Sequence, residues 1–321
     1  MFPFATLREG KMKSIFCIFV VCAAITVFGL SPVNATVINI VDETFDDGGR
    51  ANGSDPLDIA WFKNTAGQSL SVVNDAVLGR GNALAVDVPS FTAPGATPSH
   101  VTFANFTTAT VGSNVGDIFR FSFDFRFTTE APHTGGGSGF RFGFFNVANP
   151  PAEDDFVTGF ESGVNGNGYT SLLNVFSPTP TVTTAREGVA ADGVLGGAGF
   201  FADGDVIVEV GGDTPTFEDT SVSHSLVYDV VRLSPTLLGF NLTIDDFFAS
   251  GTDAVPPGFD SFNTIAFRGT NSNLDYTLDN VKIQLISTNI PEPTAFVLFG
   301  VGLIGYGFAA LRKQQNIRLV R

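Results

Sequence analysis

Phe119, Phe121, Phe123, Phe125 and Phe127 alternate with Arg120, Ser122, Asp124 and Arg126. A period of two sustained in this way predicts a strand with one aromatic, buried face and one wet face. Phe140, Phe142 and Phe144 repeat the pattern against Arg141 and Gly143. The glycine-rich Thr134 to Gly139 between the two runs predicts a turn that makes them neighbouring antiparallel strands, with an arginine opposite Asp124 as a modest cross-strand contact. Further strands are predicted at Ala83 to Val88, His100 to Phe106, Asp205 to Val210, Ser223 to Arg232, Leu237 to Ile244, Thr264 to Arg268 and Tyr276 to Leu285. Pro94-Gly95, Asn165-Gly166-Asn167-Gly168 and Pro256-Pro257-Gly258 punctuate them as turns. Phe176 to Gly199, rich in Thr, Pro, Gly and Ala, is expected to be one long loop. No stretch between the two ends of the chain holds a 3.6-residue period long enough for a major helix. The expected class is all-β, with two antiparallel sheets packed as a sandwich.

The ends of the chain follow other patterns. Met12-Lys13 precedes an apolar run from Ile15 to Leu30, and Val33-Asn34-Ala35 supplies small residues for a signal peptidase cut after Ala35. Met12 reads as the initiator. At the other end Pro291-Glu292-Pro293 is followed by an apolar run from Thr294 to Leu311 and by Arg312-Lys313. Such a run spans about 27 Å as a helix, enough for a thin bilayer. The organisation expected is therefore a signal segment at 1–35 containing a signal helix, a β-sandwich at 36–288, and a transmembrane sorting helix within 289–321.

Pro291-Glu292-Pro293, the glycine-punctuated Phe296 to Gly305 and the basic Arg312-Lys313 resemble the PEP-CTERM sorting signal. That resemblance implies export across the inner membrane of a Gram-negative bacterium and processing by a membrane protease called exosortase. It also implies a final location at the cell surface or in the extracellular matrix, in association with exopolysaccharide and biofilm. The tail Gln314 to Arg321 is longer than is usual for the family, although Arg318 and Arg321 keep it positive as a cytoplasmic flank requires. An ordinary single-pass anchor is the plainer alternative, and the mass of the mature protein separates the two.

Charge narrows the company the body can keep. Residues 36–290 hold 10 Lys and Arg against 30 Asp and Glu, about −20 in all. Such a field repels nucleic acid and anionic surfaces. Both cysteines, Cys17 and Cys22, lie in the signal segment, so neither a disulfide nor a thiolate serves the exported body. The chain has 34 Phe against one Trp and four Tyr. Phenylalanine has no polar handle, so these rings read as core filler rather than as a glycan-stacking surface.

The opening Ile38 to Gly49, with Phe45-Asp46, and the closing Asn273 to Ile283, with Asp279-Asn280-Val281, resemble bacterial jelly-roll domains of the concanavalin-like and carbohydrate-binding-module type. The paired Phe strands resemble the laminin G-like variety. In some such domains a structural calcium ion ties the first and last strands. On that resemblance Glu43, Asp46, Asp47 and Asp279 supply the hard oxygen ligands. The alternative is that Asp46-Asp47-Gly48-Gly49 is a turn and Asp279-Asn280 a bulge.

No enzyme signature emerges. A retaining glycosidase needs two carboxyl groups about 5 Å apart, and the Glu-x-Asp-x-Glu strand of related glucanases has no counterpart. Asp245-Asp246, Glu153-Asp154-Asp155 and Asp203-Gly204-Asp205 read as solvated turns. His100, His133 and His224 are scattered, and no phosphate-binding or nucleophile-elbow motif is present. Trp61, within Asp58 to Lys63, is the one residue to test for ligand stacking, and a buried indole packed behind Phe62 is the plainer expectation. The expectation is a non-enzymatic exported surface or matrix protein, against the competing reading of a carbohydrate-binding module that recognises a glycan on a jelly-roll face.

Overall fold

A computed structural model describes residues 35–51, 55–65, 67–79, 81–88, 100–129, 139–155, 166–173, 181–187, 205–211, 217, 219–254, 259–269 and 274–288. The secondary structure of these residues is entirely β, in fifteen strands. They are β1 (Ala35–Glu43), β2 (Trp61–Lys63), β3 (Ser69–Asp75), β4 (Gly81–Asp87), β5 (His100–Thr110), β6 (Ile118–Phe127), β7 (Phe140–Val147) and β8 (Gly166–Leu173). The rest are β9 (Thr181–Glu187), β10 (Asp205–Gly211), β11 (His224–Ser234), β12 (Leu237–Ile244), β13 (Phe247–Ala254), β14 (Ser261–Gly269) and β15 (Tyr276–Thr288).

They form two antiparallel sheets. The eight-stranded sheet runs β13-β12-β11-β6-β15-β4-β3, with β1 also paired to β15, and the seven-stranded sheet runs β10-β9-β8-β7-β14-β5-β2. The last two strands of the chain, β14 and β15, are therefore central, each flanked on both sides. Asp42 reaches Lys282 and Asn39 reaches Gln284, so β1 and β15 run in opposite directions.

The expected strand at 119–127 is present with its alternation intact, but the pairing inferred for it is corrected. β6 pairs with β11 and β15, whereas β7 pairs with β14 and β8 in the other sheet. The two phenylalanine faces oppose each other across the sandwich. Phe123 meets Phe142 at 5.5 Å and Phe267 at 5.0 Å, edge to face. A shared apolar period tells which side of a strand is buried and is silent on which sheet it belongs to. Asp124 accordingly faces Ser225 and Asp279 in the register, not an arginine. Burying each of these rings contributes about 1.5–3 kcal/mol.

Two turn or loop expectations are also corrected. Gly166-Asn167-Gly168 opens β8, and β9 lies inside the expected loop at 176–199. Gly168 is required there because a Cβ would stand 2.1 Å from the Phe144 carbonyl oxygen. Its glycine is a packing device in a strand, a use that composition does not separate from a turn. Both helices expected at the chain ends lie outside the described residues. Among the described residues no helix is long and apolar enough to cross a membrane.

Candidate functional site

The junction of the first and last strands holds most of the residues singled out for metal binding. β15 changes partner there: it pairs with β4 up to Leu278, and its register with β6 shifts between Asp279 and Lys282. Asn280 takes φ 51°, a left-handed value that Asn tolerates better than most residues. Its backbone N–H donates to the Asp279 carboxylate and its side-chain amide to Asp124. The bulge expected at Asp279-Asn280 is thus present.

Across from it, β1 ends at Glu43, whose carboxyl is buried and turned inward. It accepts from the backbone N–H of Phe45 at 2.9 Å and from that of Ile59 at 3.3 Å. Phe45 follows with φ 54°, uncommon for a bulky side chain, and its carbonyl accepts from Asn82. Burial pushes the Glu43 carboxyl up to about 7, helped by repulsion from Asp58 and Asp47 and opposed by the two amide hydrogen bonds. Through these two amides Glu43 clasps the end of the first strand to the segment that precedes β2.

The expected calcium quartet is not assembled. Asp47 closes its own turn by accepting from Gly49 N–H, Asp46 accepts from the Thr44 hydroxyl, and Asp279 is buried on β15. Among the described residues no group of three or more His, Cys, Asp or Glu is arranged to hold a metal ion. Glu43, already bonded to two backbone donors and with its ionised form disfavoured by burial, is a poor ligand for a hard cation. The donor set does not fit calcium.

Trp61, the candidate for ligand stacking, is 1 % exposed. Its ring lies 5.9 Å from both Phe45 and Phe267, inside the sandwich core. No face of the indole is open to a sugar. Its neighbour Phe62 points the other way, onto a second apolar cluster of Val101, Phe103, Phe145, Val147 and Ala266 on the outer side of the seven-stranded sheet. Arg268 and Arg141 are cross-strand partners on that same side. Burial, with Arg141 close by, lowers Arg268 to about 9, and burial beside Arg268 lowers His100 to about 4.

The acidic groups at 153–155 and 245–246, expected to be solvated turns, do lie in turns, with Glu153, Asp155, Asp245 and Asp246 exposed, and several of them also make ion pairs. Asp154 holds Arg50 in a two-pronged pair and also accepts from Lys63 N–H, while Asp155 meets Lys63 Nζ at 2.7 Å. Asp245, at φ 50°, sits 2.7 Å from His224 Nδ1. The pairs of Asp154 and Asp155 lie more than ninety residues apart and leave no mark on local pattern, so sequence reasoning missed them. His224 packs against Phe125 and Phe217, and no hydroxyl is bonded to its ring. The sorting residues Pro291, Glu292, Pro293, Arg312 and Lys313, like Asp203 and His133, lie outside the described residues.

The chain is similar to several lectin structures. It matches peanut lectin bound to a nine-residue peptide at 13 % identity and a TM-score of 0.42, over 79 % of this chain and 98 % of that one. The Emp47p carbohydrate recognition domain matches at 13 % and 0.45, over 78 % and 94 %. Lectin I of Ulex europaeus, in complex with the methyl glycoside of α-L-fucose, matches at 11 % and 0.44, over 79 % and 98 %. No curated protein matches the chain. Residues 289–313 match the family described as the PEP-CTERM protein-sorting motif, and the chain is therefore a carrier of that signal.

Proposed function

We propose that this is a non-enzymatic exported protein of the cell surface or extracellular matrix, handed through its C-terminal signal to an exosortase-like membrane protease. The observation that carries the proposal is the sorting motif at 289–313. The N-terminal apolar run ending at Val33-Asn34-Ala35 supplies the matching entry signal for a signal peptidase. The body suits a structural or adhesive role, since its aromatic residues are spent on packing and its described carboxylates on ion pairs and turns. Replacing Pro291, Glu292 and Pro293 together by Ala tests the reading. The variant is expected to stay in the membrane fraction at unprocessed mass while the parent is trimmed; identical mass and fractionation of the two overturn it.

The competing reading is a carbohydrate-binding module on the outer side of the seven-stranded sheet. Arg141, half-buried on that side next to the buried Arg268, favours it, because a guanidinium suits an acidic sugar better than a neutral one. Affinity electrophoresis in gels containing a polyuronate or a neutral glucan decides it. Retardation by the polyuronate that Arg141→Ala abolishes supports this reading, and equal mobility in all gels removes it.

A further inference from the structure

We propose that one end of the eight-stranded sheet is a lipid-facing platform that rests on the headgroup region of the bilayer while the C-terminal signal is in place. This rests on the reading that residues 294–311 are membrane-inserted.

The first observation is where the two chain ends leave the sheet. Because β1 and β15 are antiparallel, Ala35 and Thr288 lie at the same end of the sheet. Thr288 is fixed there: its N–H donates to Asp117 and its hydroxyl to the Val115 carbonyl. Only five residues, six Cα steps, separate Thr288 from Thr294, where the apolar run begins. Fully extended they reach about 20 Å. The headgroup layer itself occupies roughly 5–7 Å of that distance on each side of the hydrocarbon. Covalent geometry alone keeps this end of the sheet near the lipid.

The second observation is the chemistry of that end. Val37 is 53 % exposed, Ile38 51 %, Val115 56 % and Leu233 41 %. Val115 lies beside Thr288, and Leu233 follows Arg232, whose carbonyl accepts from Gly116 N–H. The segments that meet here are 35–40, 111–116, 233–237 and 283–288, and none contains an Asp, Glu, Lys or Arg. Acids close by are internally satisfied. Asp117 is buried and bound by Asn114, Ser287 and Thr288; Asp253 pairs with Arg186 and Asp260 with Arg232. In a protein of net charge −15, an uncharged end bearing exposed aliphatic side chains fits a bilayer surface, which an acidic face would not.

The test uses the protein as cut after Ala35, residues 36–321, which contain no cysteine and lack the apolar run Ile15 to Leu30 that could itself bind a vesicle. An environment-sensitive dye is placed at Val115→Cys, at Leu233→Cys, or at Phe248→Cys as a control exposed at the other end of the sheet. The proteins are reconstituted into phosphatidylcholine–phosphatidylethanolamine vesicles containing spin-labelled lipid. Blue-shifted emission and several-fold stronger lipid quenching at 115 and 233 than at 248 are expected. Vesicle flotation with equal, aqueous spectra at all three positions overturns the platform and leaves the anchor standing. Shielding from aqueous quencher without lipid quenching also overturns it, in favour of a second copy covering this end. Failure to float overturns the anchor reading and the platform together.

Discussion

The two ends of the eight-stranded sheet are built on opposite principles. At the end where β15 starts, Asp87 closes β4 and Asp219, Asp245, Asp246 and Asp275 lie between strands, all but Asp275 exposed. At the end where β15 finishes, the turns are uncharged and their few acids are consumed by hydrogen bonds. The net charge of the body is thus unevenly placed, and a count over the chain conceals a polarity that the strand order reveals. The acidic end exposes its carboxylates, while the other end, where Ala35 and Thr288 leave the sheet, holds its acids in hydrogen bonds and ion pairs.

The largest effect on this comparison is expected from Asp75→Ala. Burial pushes the Asp75 carboxyl up, but hydrogen bonds from Arg126, Thr277 and Val77 hold it below the usual carboxylate range. Removing it leaves the Arg126 guanidinium, which bridges to the Thr220 carbonyl, without its counter-ion. Loss of a buried partner costs about 3–5 kcal/mol. At about 2–4 °C per kcal/mol for a domain of this size, a Tm drop of roughly 10 °C is expected in calorimetry. A change under 2 °C, on the order of thermal-shift scatter for such a domain, would show that the network is ornamental.

Asp117→Ala strikes the opposite end. It unties Asn114 N–H, Ser287 Oγ and Thr288 N–H, and a loss of about 2–3 kcal/mol is expected from stranded donors. Hydrogen exchange should show the end of β15 losing protection while Tyr276 to Leu278 keep theirs. Uniform loss along the strand would mean that the two ends are energetically one unit.

Glu43 provides the pH test. Its folded pKa of about 7 lies above the value of an exposed carboxyl, so the folded state holds this proton more tightly than the unfolded chain. Its contribution is fully present below about pH 4.5, declines as pH rises towards 7, and is flat above that. Glu43→Gln keeps the neutral shape, so the variant should gain up to roughly 2 kcal/mol over the parent at pH 8 and nothing at pH 4. His100 runs the other way: depressed to about 4, it favours folding above about pH 6.5 and loses that contribution as pH falls towards 4. The difference between Glu43→Gln and parent isolates the first from the second, and a difference that does not vary with pH would remove Glu43 as the titrating group.

The smallest effect is expected from Lys282→Ala, which breaks a partly exposed pair with Asp42, at under about 1 kcal/mol in urea melts. A larger loss would show that the β1–β15 seam depends on charge.

Much of the fold was legible where local pattern decides it. The alternation from Phe119 to Phe127 specifies the buried face of β6, and Leu237 to Ile244 gives β12 with its observed bounds. What local pattern does not carry is partnership. Nothing near Phe140 says that its strand faces β6 across the core rather than pairing with it, because both arrangements bury the same side. Gly168 reads as a turn until Phe144 is placed beside it. Among site residues, the bulge at Asp279 was legible, whereas the inward turn of Glu43 depends on amides of Phe45 and Ile59 that a list of acids does not contain. Trp61 is buried, as the plainer expectation had it, although its partners Phe45 and Phe267 could not be named from the sequence.

The central placement of β14 and β15 has a consequence for biogenesis. Until residues 276–288 have emerged, β6 on one side and β4 with β1 on the other have nothing to join them; until 261–269 have emerged, β7 and β5 are likewise apart. Contacts spanning so much of the chain form slowly, since the loops they close are long. The ladders β6-β11-β12-β13 and β7-β8-β9-β10 can pair as they emerge, but each sheet is closed only when the sequence just ahead of the sorting signal arrives, so that completion of the two sheets and arrival of that signal coincide.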